Sequence, residues 1–95
     1  NNSYLGMVRQ WQEMFFDKRY SETNISSPDF VQLAAAYGIA GKQVSQRENL
    51  QEAIEKMIEY PGPYLLEVMV KKEGNVFPMI PTGYAVSDIL LESNL

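Results

Sequence analysis

Apolar residues recur at helical spacing from Leu5 to about Lys18, where Leu5, Val8, Trp11 and Phe15 form one stripe. Met7, Met14 and Phe16 widen that stripe, so the pattern predicts a helix with neighbours on more than one side. A polar connection, Tyr20 to Ser27, leads into a start signal. Ser27 stands as N-cap, Pro28 suits the first helical position, and Asp29 favours the positive end of the helix dipole. The helix that follows carries Phe30, Leu33, Ala34 and Tyr37 on one face and stops at Gly38. Gly41 to Val44 reads as a short strand. Ser45 and Glu48 have the spacing of a capping box, and Leu50, Ile54, Met57 and Ile58 line the next helix to about Tyr60. Pro61-Gly62-Pro63 ends it. Tyr64 to Val70 is the clearest strand, apolar on both faces except at Glu67. A proline-bearing tail, Val76 to Gly83, and a short helical turn around Ser87 to Leu91 close the chain.

The order strand, helix, strand predicts a right-handed parallel crossover. A strand apolar on both faces belongs in a sheet with helices on each side. The fold class is therefore α/β, and two strands are too few for such a sheet. The remaining strands are expected from sequence outside this chain or from another chain. The start at Asn1 in place of Met points the same way, to a piece of a longer protein.

Composition narrows the chemistry. The 95 residues, 45% hydrophobic and 21% charged, suit one small domain. Eight basic against twelve acidic residues give a net charge of −4, which argues against a nucleic-acid surface. The pairs Lys18-Arg19 and Lys71-Lys72 read as solvated ends of elements. With no cysteine and no histidine, disulfides, thiolate nucleophiles, Ser-His-Asp triads and the common zinc sites are excluded within the chain. No apolar run approaches the roughly 20 residues that span a bilayer. Asn24-Ile25-Ser26 matches the glycosylation tripeptide and is read as chance. Glu67 allows an acid/base group with a raised pKa, although the plainer reading is a carboxylate with a hydrogen-bond or charge partner.

The opening stretch is the informative one. Two adjacent asparagines before a helix are ordinary turn and cap residues. A carboxamide oxygen is also a donor that Mg²⁺ accepts. The whole run Asn1-Asn2-Ser3-Tyr4-Leu5-Gly6-Met7-Val8-Arg9-Gln10-Trp11-Gln12 resembles the end of the thiamine-diphosphate motif of acetohydroxyacid synthases. That family closes the motif with an Asn-Asn pair, whose second Asn and the carbonyl two residues later ligate Mg²⁺. The resemblance puts those roles on Asn2 and Tyr4, with Gly6 and Met7 beside the cofactor. The motif's opening aspartate is absent from this chain, so the metal site here is partial. Gly6-Met7-Val8 with Gln10-Trp11 is similar to the stretch that separates this family from other thiamine-diphosphate enzymes. It implies that Met7 and Trp11 line the substrate channel, where Trp11 favours 2-ketobutyrate as second substrate. The plainer reading of Trp11 is a core aromatic.

Further stretches agree. Pro28-Asp29-Phe30 through Leu33-Ala34 and Tyr37-Gly38, and Gly62-Pro63-Tyr64-Leu65-Leu66-Glu67-Val68, resemble family scaffold elements. Asn75-Val76-Phe77-Pro78-Met79-Ile80-Pro81-Thr82-Gly83 resembles the family's C-terminal arm, with Thr82 at a channel-lining position or, more plainly, a turn residue before glycine. The resemblance implies the C-terminal portion of a doubly wound thiamine-diphosphate-binding fold, with residues 1–75 as body and 76–95 as arm.

For the whole protein the resemblance implies decarboxylation of pyruvate and condensation of its two-carbon remainder with a second 2-keto acid, pyruvate or 2-ketobutyrate. This is a step of branched-chain amino acid biosynthesis. It implies thiamine diphosphate and Mg²⁺, FAD held mostly by other domains, and a homodimer or higher homo-oligomer that allows for a regulatory small subunit. No nucleic acid or membrane is involved. The cytoplasm is implied for a bacterial source and an organelle for a eukaryotic one. The segment alone is expected to be inactive, with no catalytic residue of its own. The alternatives are a pyruvate oxidase, a non-FAD acetolactate synthase, or an α/β interaction module without chemistry.

Overall fold

A computed structural model of the chain describes residues 1–94. They form two compact units. The first comprises Asn1–Ser3 and Ser26–Lys71, the second Tyr4–Ile25 with Lys72 onward.

In the first unit, helix α2 (Phe30–Ala36) leads to strand β1 (Ala40–Val44), and helix α3 (Leu50–Glu59) connects β1 to strand β2 (Tyr64–Val68). The strands are parallel neighbours, with Ala40 opposite Tyr64 and Val44 opposite Val68. The expected parallel β-α-β unit is therefore present, in an α/β fold. Both helices contact both strands. Helix α2 lies on the face of Gly41, where an added Cβ would stand 3.4 Å from the Ala34 Cβ and 3.4 Å from the Leu65 carbonyl. Residues alternate faces along a strand, so Gln43 and Glu67 share that face, while Val44 and Val68 point to the other. Val44 and Ala53 of α3 are buried there.

The local signals needed correction at several boundaries. Helix α2 is capped by Asp29, whose carboxylate accepts from the Gln32 N–H at 2.9 Å. Ser27 and Pro28 both lie outside it, since the cap is the residue just before Phe30, whose side chain reaches the N–H three positions on. Gly38, at φ +71°, ends α2 as predicted. The Ser45–Glu48 capping box does not form. A 3-10 turn at Arg47–Asn49 delays α3, which then places Glu52 in its first turn, 2.6 Å from Lys56. Ile58 on the predicted apolar face is exposed, and Ala53 is buried in its stead. Strand β2 stops at Val68, two residues before Val70, because β1 runs out at Val44; the Met69 N–H still reaches the Val44 carbonyl at 2.8 Å.

In the second unit, helix α1 (Gly6–Phe15) ends earlier than Lys18. Asp17 and Lys18 take left-handed conformations, φ +53° and +58°, and the Lys18 N–H returns to the Gln12 carbonyl at 3.2 Å. The predicted stripe is inverted. Leu5, Val8, Trp11 and Phe15 are exposed, whereas Arg9 and Gln10 are the buried residues of the helix. The tail holds an antiparallel bridge between Met79 and Leu90. Its helical turns are short 3-10 pieces at Val86–Asp88 and Glu92–Asn94, in place of the one expected around Ser87 to Leu91. Among the described residues no helix is long and apolar enough to cross a membrane.

Candidate functional site

Asn1 makes four hydrogen bonds, three to β2 and the residues that continue it and one within its own turn. Its amino group donates to the Val68 carbonyl at 2.7 Å, and its carbonyl accepts from the Val70 N–H at 3.0 Å. These two bonds bracket Met69 as a parallel neighbouring strand would. They fall at the carboxyl end of β2, on the edge away from β1. The side chain is equally committed: Asn1 Nδ2 donates to Glu67 Oε1 at 2.8 Å, and Oδ1 accepts from the Ser3 N–H at 2.8 Å. The last bond is an Asx turn, and it accompanies a left-handed Ser3 at φ +61°. Asn1 thus shapes the turn, and it is Asn2, half-buried, that stands inside it.

Glu67 explains the lone acid of its strand. It is 8% exposed, and besides Asn1 it accepts from Gln43 Nε2 at 2.8 Å. The bond from Asn1, then the bond from Gln43, hold its carboxyl below the usual carboxylate range. The raised pKa that an acid/base role requires is therefore absent. Glu67 is a satisfied, ionised carboxylate.

The second unit carries the other candidates. Tyr4 is half-buried and forms an antiparallel bridge with Asn24. Its ring has two cations over it, the Arg9 guanidinium and the Lys72 ammonium, each 5.5 Å from the centroid. Arg9 also stacks 4.6 Å from the Tyr20 ring and lies 3.8 Å from Glu13. Glu13 accepts from Asn75 Nδ2 at 2.6 Å and from the Tyr20 hydroxyl at 3.0 Å. The Asn75 bond is the main reason its carboxyl titrates below the ordinary range. Burial, then the bond to Glu13, pushes the Tyr20 hydroxyl up.

Gly6 opens α1. Met7 and Trp11, four residues apart, share its exposed side, where Trp11 meets Phe15 edge to face at 6.1 Å. Trp11 is 46% exposed, so the reading of it as a core aromatic of this segment fails. Thr82 is exposed in the turn closed by the Tyr84 N–H on the Pro81 carbonyl at 3.1 Å, just before Gly83 at φ +87°.

Two residues of consequence carried no signal in the periodicity. Gln10, 1% exposed, donates from Nε2 to the Val76 carbonyl at 2.9 Å and accepts the Val76 N–H at 2.7 Å. Gln12 grips Ser21 likewise, donating to its carbonyl at 2.9 Å and accepting its N–H at 3.2 Å. The glutamines on either side of Trp11 are backbone clips.

Among the described residues no three His, Cys, Asp or Glu side chains converge on a metal position. The donors that this stretch can offer are neutral oxygens, a carboxamide and backbone carbonyls. Such oxygens suit Mg²⁺ as part of a larger set.

Comparison with known proteins gives these residues a context. Residues 1–68 match the family model described as thiamine pyrophosphate enzyme, C-terminal TPP binding domain. The chain is 44% identical over 91 residues to the acetolactate synthase isozyme 2 large subunit of Escherichia coli K12, covering 95% of this chain and 17% of that protein. It is 46% identical over 92 residues to the acetolactate synthase large subunit of Cyanidium caldarium, covering 95% and 16%. It is 41% identical over 95 residues to the mitochondrial acetolactate synthase of Schizosaccharomyces pombe, covering 100% and 14%. The chain thus spans about a sixth of the length of these relatives. With the Asn pair set at the carboxyl end of a parallel strand and the match running from Asn1 through β2, the chain belongs to the thiamine pyrophosphate enzymes, as their C-terminal TPP-binding domain.

Proposed function

We propose that this chain is the C-terminal part of the catalytic subunit of an acetohydroxyacid (acetolactate) synthase. The observation that carries the reading is the anchoring of Asn1 at the carboxyl end of β2, with the Ser3 turn behind it. In open α/β sheets ligands gather at the carboxyl ends of strands. Asn2 through its carboxamide oxygen, and Tyr4 through its backbone carbonyl, are the residues that would hold Mg²⁺. Gly6 and Met7 would border thiamine diphosphate, and Met7, Trp11 and Thr82 would line the passage for 2-keto acids. When bound, thiamine diphosphate supplies the electron sink that makes decarboxylation of pyruvate feasible. The chain's own contribution is to hold the metal and to select the acceptor by shape. No side chain here is assigned a proton-transfer role.

In the same reading the full-length protein binds FAD mainly through other domains, works as a homodimer or higher oligomer, and accommodates a regulatory small subunit. Pyruvate and 2-ketobutyrate are its substrates, and its place is the bacterial cytoplasm or, in a eukaryote, an organelle. The segment by itself is inactive, since the remaining ligands of the metal lie outside it.

The test is product analysis with the full-length protein, Mg²⁺ and thiamine diphosphate, on pyruvate plus 2-ketobutyrate. Acetohydroxybutyrate is expected as the main product, with release of CO₂. Consumption of pyruvate without carboligation would redirect the reading to another thiamine-diphosphate enzyme. No turnover that depends on added thiamine diphosphate would overturn it.

A further inference from the structure

Glu67 joins the start of the Asn pair to the sheet. Its Oε1 accepts from Asn1 Nδ2, its Oε2 from Gln43 Nε2, both at 2.8 Å. Gln43 lies opposite Glu67 in the paired strand, so the carboxylate is held from one side by β1 and holds Asn1 on the other. With Nδ2 held by Glu67, the carboxamide plane is set and Oδ1 faces the Ser3 N–H, a bond that accompanies the left-handed Ser3. A serine at positive φ is held there by its surroundings, since the conformation is unfavourable for a residue with a Cβ. The turn fixes where Asn2 stands.

We infer that Glu67 is a positioning residue for the magnesium and diphosphate site, acting through the Asn1 carboxamide and the Ser3 turn on Asn2. This rests on the reading of Asn2 as a magnesium ligand. Outer partners that orient a metal ligand typically alter metal affinity by about 10–100-fold when removed. Here the lever is one residue longer than a direct contact, and the lower end of that range is expected.

The experiment uses the full-length protein and titration calorimetry of Mg²⁺ at saturating thiamine diphosphate. Glu67→Leu removes both acceptors at similar bulk, and Asn1→Ala removes the group it holds. Each should raise the magnesium dissociation constant about tenfold. The double variant should be no worse than the worse single, because both substitutions break the same bond between Asn1 and Glu67. Glu67→Gln, which keeps one accepting oxygen, should recover part of the loss. Val44→Ala serves as a destabilised control: it opens a cavity in the core of the same sheet and lowers the melting temperature, and its dissociation constant should stay within about twofold of the parent. Should Glu67→Leu fail to fold, Asn1→Ala carries the test. Unchanged affinity in Asn1→Ala and Glu67→Leu overturns the inference and leaves the metal site standing. An equal loss in Val44→Ala also overturns it, since stability alone would then account for the effect. If the parent protein binds no magnesium with thiamine diphosphate, the underlying reading of Asn2 fails, and the inference with it.

Discussion

Gln10 holds Val76 by both ends of its carboxamide, giving a hydrogen bond to the backbone carbonyl and taking one from the backbone N–H. A side-chain amide has the donor and acceptor of a peptide group, so it can stand in for a strand neighbour. The tail here is an irregular segment with prolines at 78 and 81, whose own pairing is the single bridge between Met79 and Leu90, away from Val76. The clip therefore supplies what the backbone lacks. It also explains why a polar residue is the most buried one of α1.

The first prediction follows from that geometry. Gln10→Leu leaves a donor and an acceptor of Val76 to find water, and should destabilise the second unit by about 1–3 kcal/mol. Gln12→Leu should cost less, because its bonds to Ser21 are exposed. Hydrogen exchange decides the matter: the Val76 amide should lose protection in Gln10→Leu and keep it in Gln12→Leu. Equal protection of Val76 in both variants would remove the clip.

A second prediction concerns the cap of α2. Asp29→Ala removes the acceptor of the Gln32 N–H and should cost about 1 kcal/mol. Ser27→Ala should change stability by less than about 0.5 kcal/mol, as surface substitutions without a named role do. Thermal unfolding of the two variants separates them. A larger loss at Ser27 would restore the cap that the Ser-Pro-Asp order suggests.

A third concerns acid. The folded-state pKa of Glu67 lies below its ordinary value of 4.5, held there by Asn1 and then by Gln43. A carboxylate depressed on folding contributes stability that is fully present above its unfolded pKa and is lost as pH falls through the folded one. Glu67→Gln should therefore destabilise most near neutral pH, and its deficit should shrink as pH drops below about 4.5. Glu13, lowered mainly by its bond from Asn75, adds to the acid sensitivity of the parent with the same sign. Melting curves from pH 7 to pH 3 test this; a deficit that does not vary with pH would mean that Glu67 contributes shape and not charge.

The limits of the sequence reading have physical causes. The parallel β-α-β unit was legible because its signals are local: the apolar run from Tyr64, the stop at Gly38, and Pro61-Gly62-Pro63. The side of α1 that is buried was not. Periodicity finds a stripe but says nothing of what covers it, and the covering segments around Ser21 and Val76 are held by glutamines, which no hydrophobic pattern marks. The sign of the Glu67 shift was hidden for a similar reason, since its main partner, Asn1, is 66 residues away. Cap positions failed by one or two residues, as at Asp29, because Ser, Pro and Asp in succession each satisfy a cap rule. The Asn pair and Trp11 were found through their resemblance to a family, while the task of Asn1 as the shaper of the turn came from its bonds.

The last prediction places Trp11 between packing and selectivity. Trp11 is 46% exposed, and within this segment its ring meets Phe15 edge to face. Such a pair contributes about 0.5–1.5 kcal/mol beyond area burial, so Trp11→Leu should lower the melting temperature of the full-length protein only slightly. If the ring instead shapes the acceptor passage, the same substitution should act on product choice. The two acceptors, pyruvate and 2-ketobutyrate, differ by one methylene, and a pocket that reads one methylene discriminates by about 1–3 kcal/mol. The preference for 2-ketobutyrate should then fall by tenfold or more, up to roughly a hundredfold, with consumption of pyruvate largely retained. Competition between the two acceptors, read as the ratio of acetohydroxybutyrate to acetolactate, measures it directly. An unchanged ratio with a large drop in melting temperature would make Trp11 a packing residue of the whole protein. An altered ratio at nearly constant stability is the expected result, because a half-exposed ring has little core to lose and a whole face to offer a substrate.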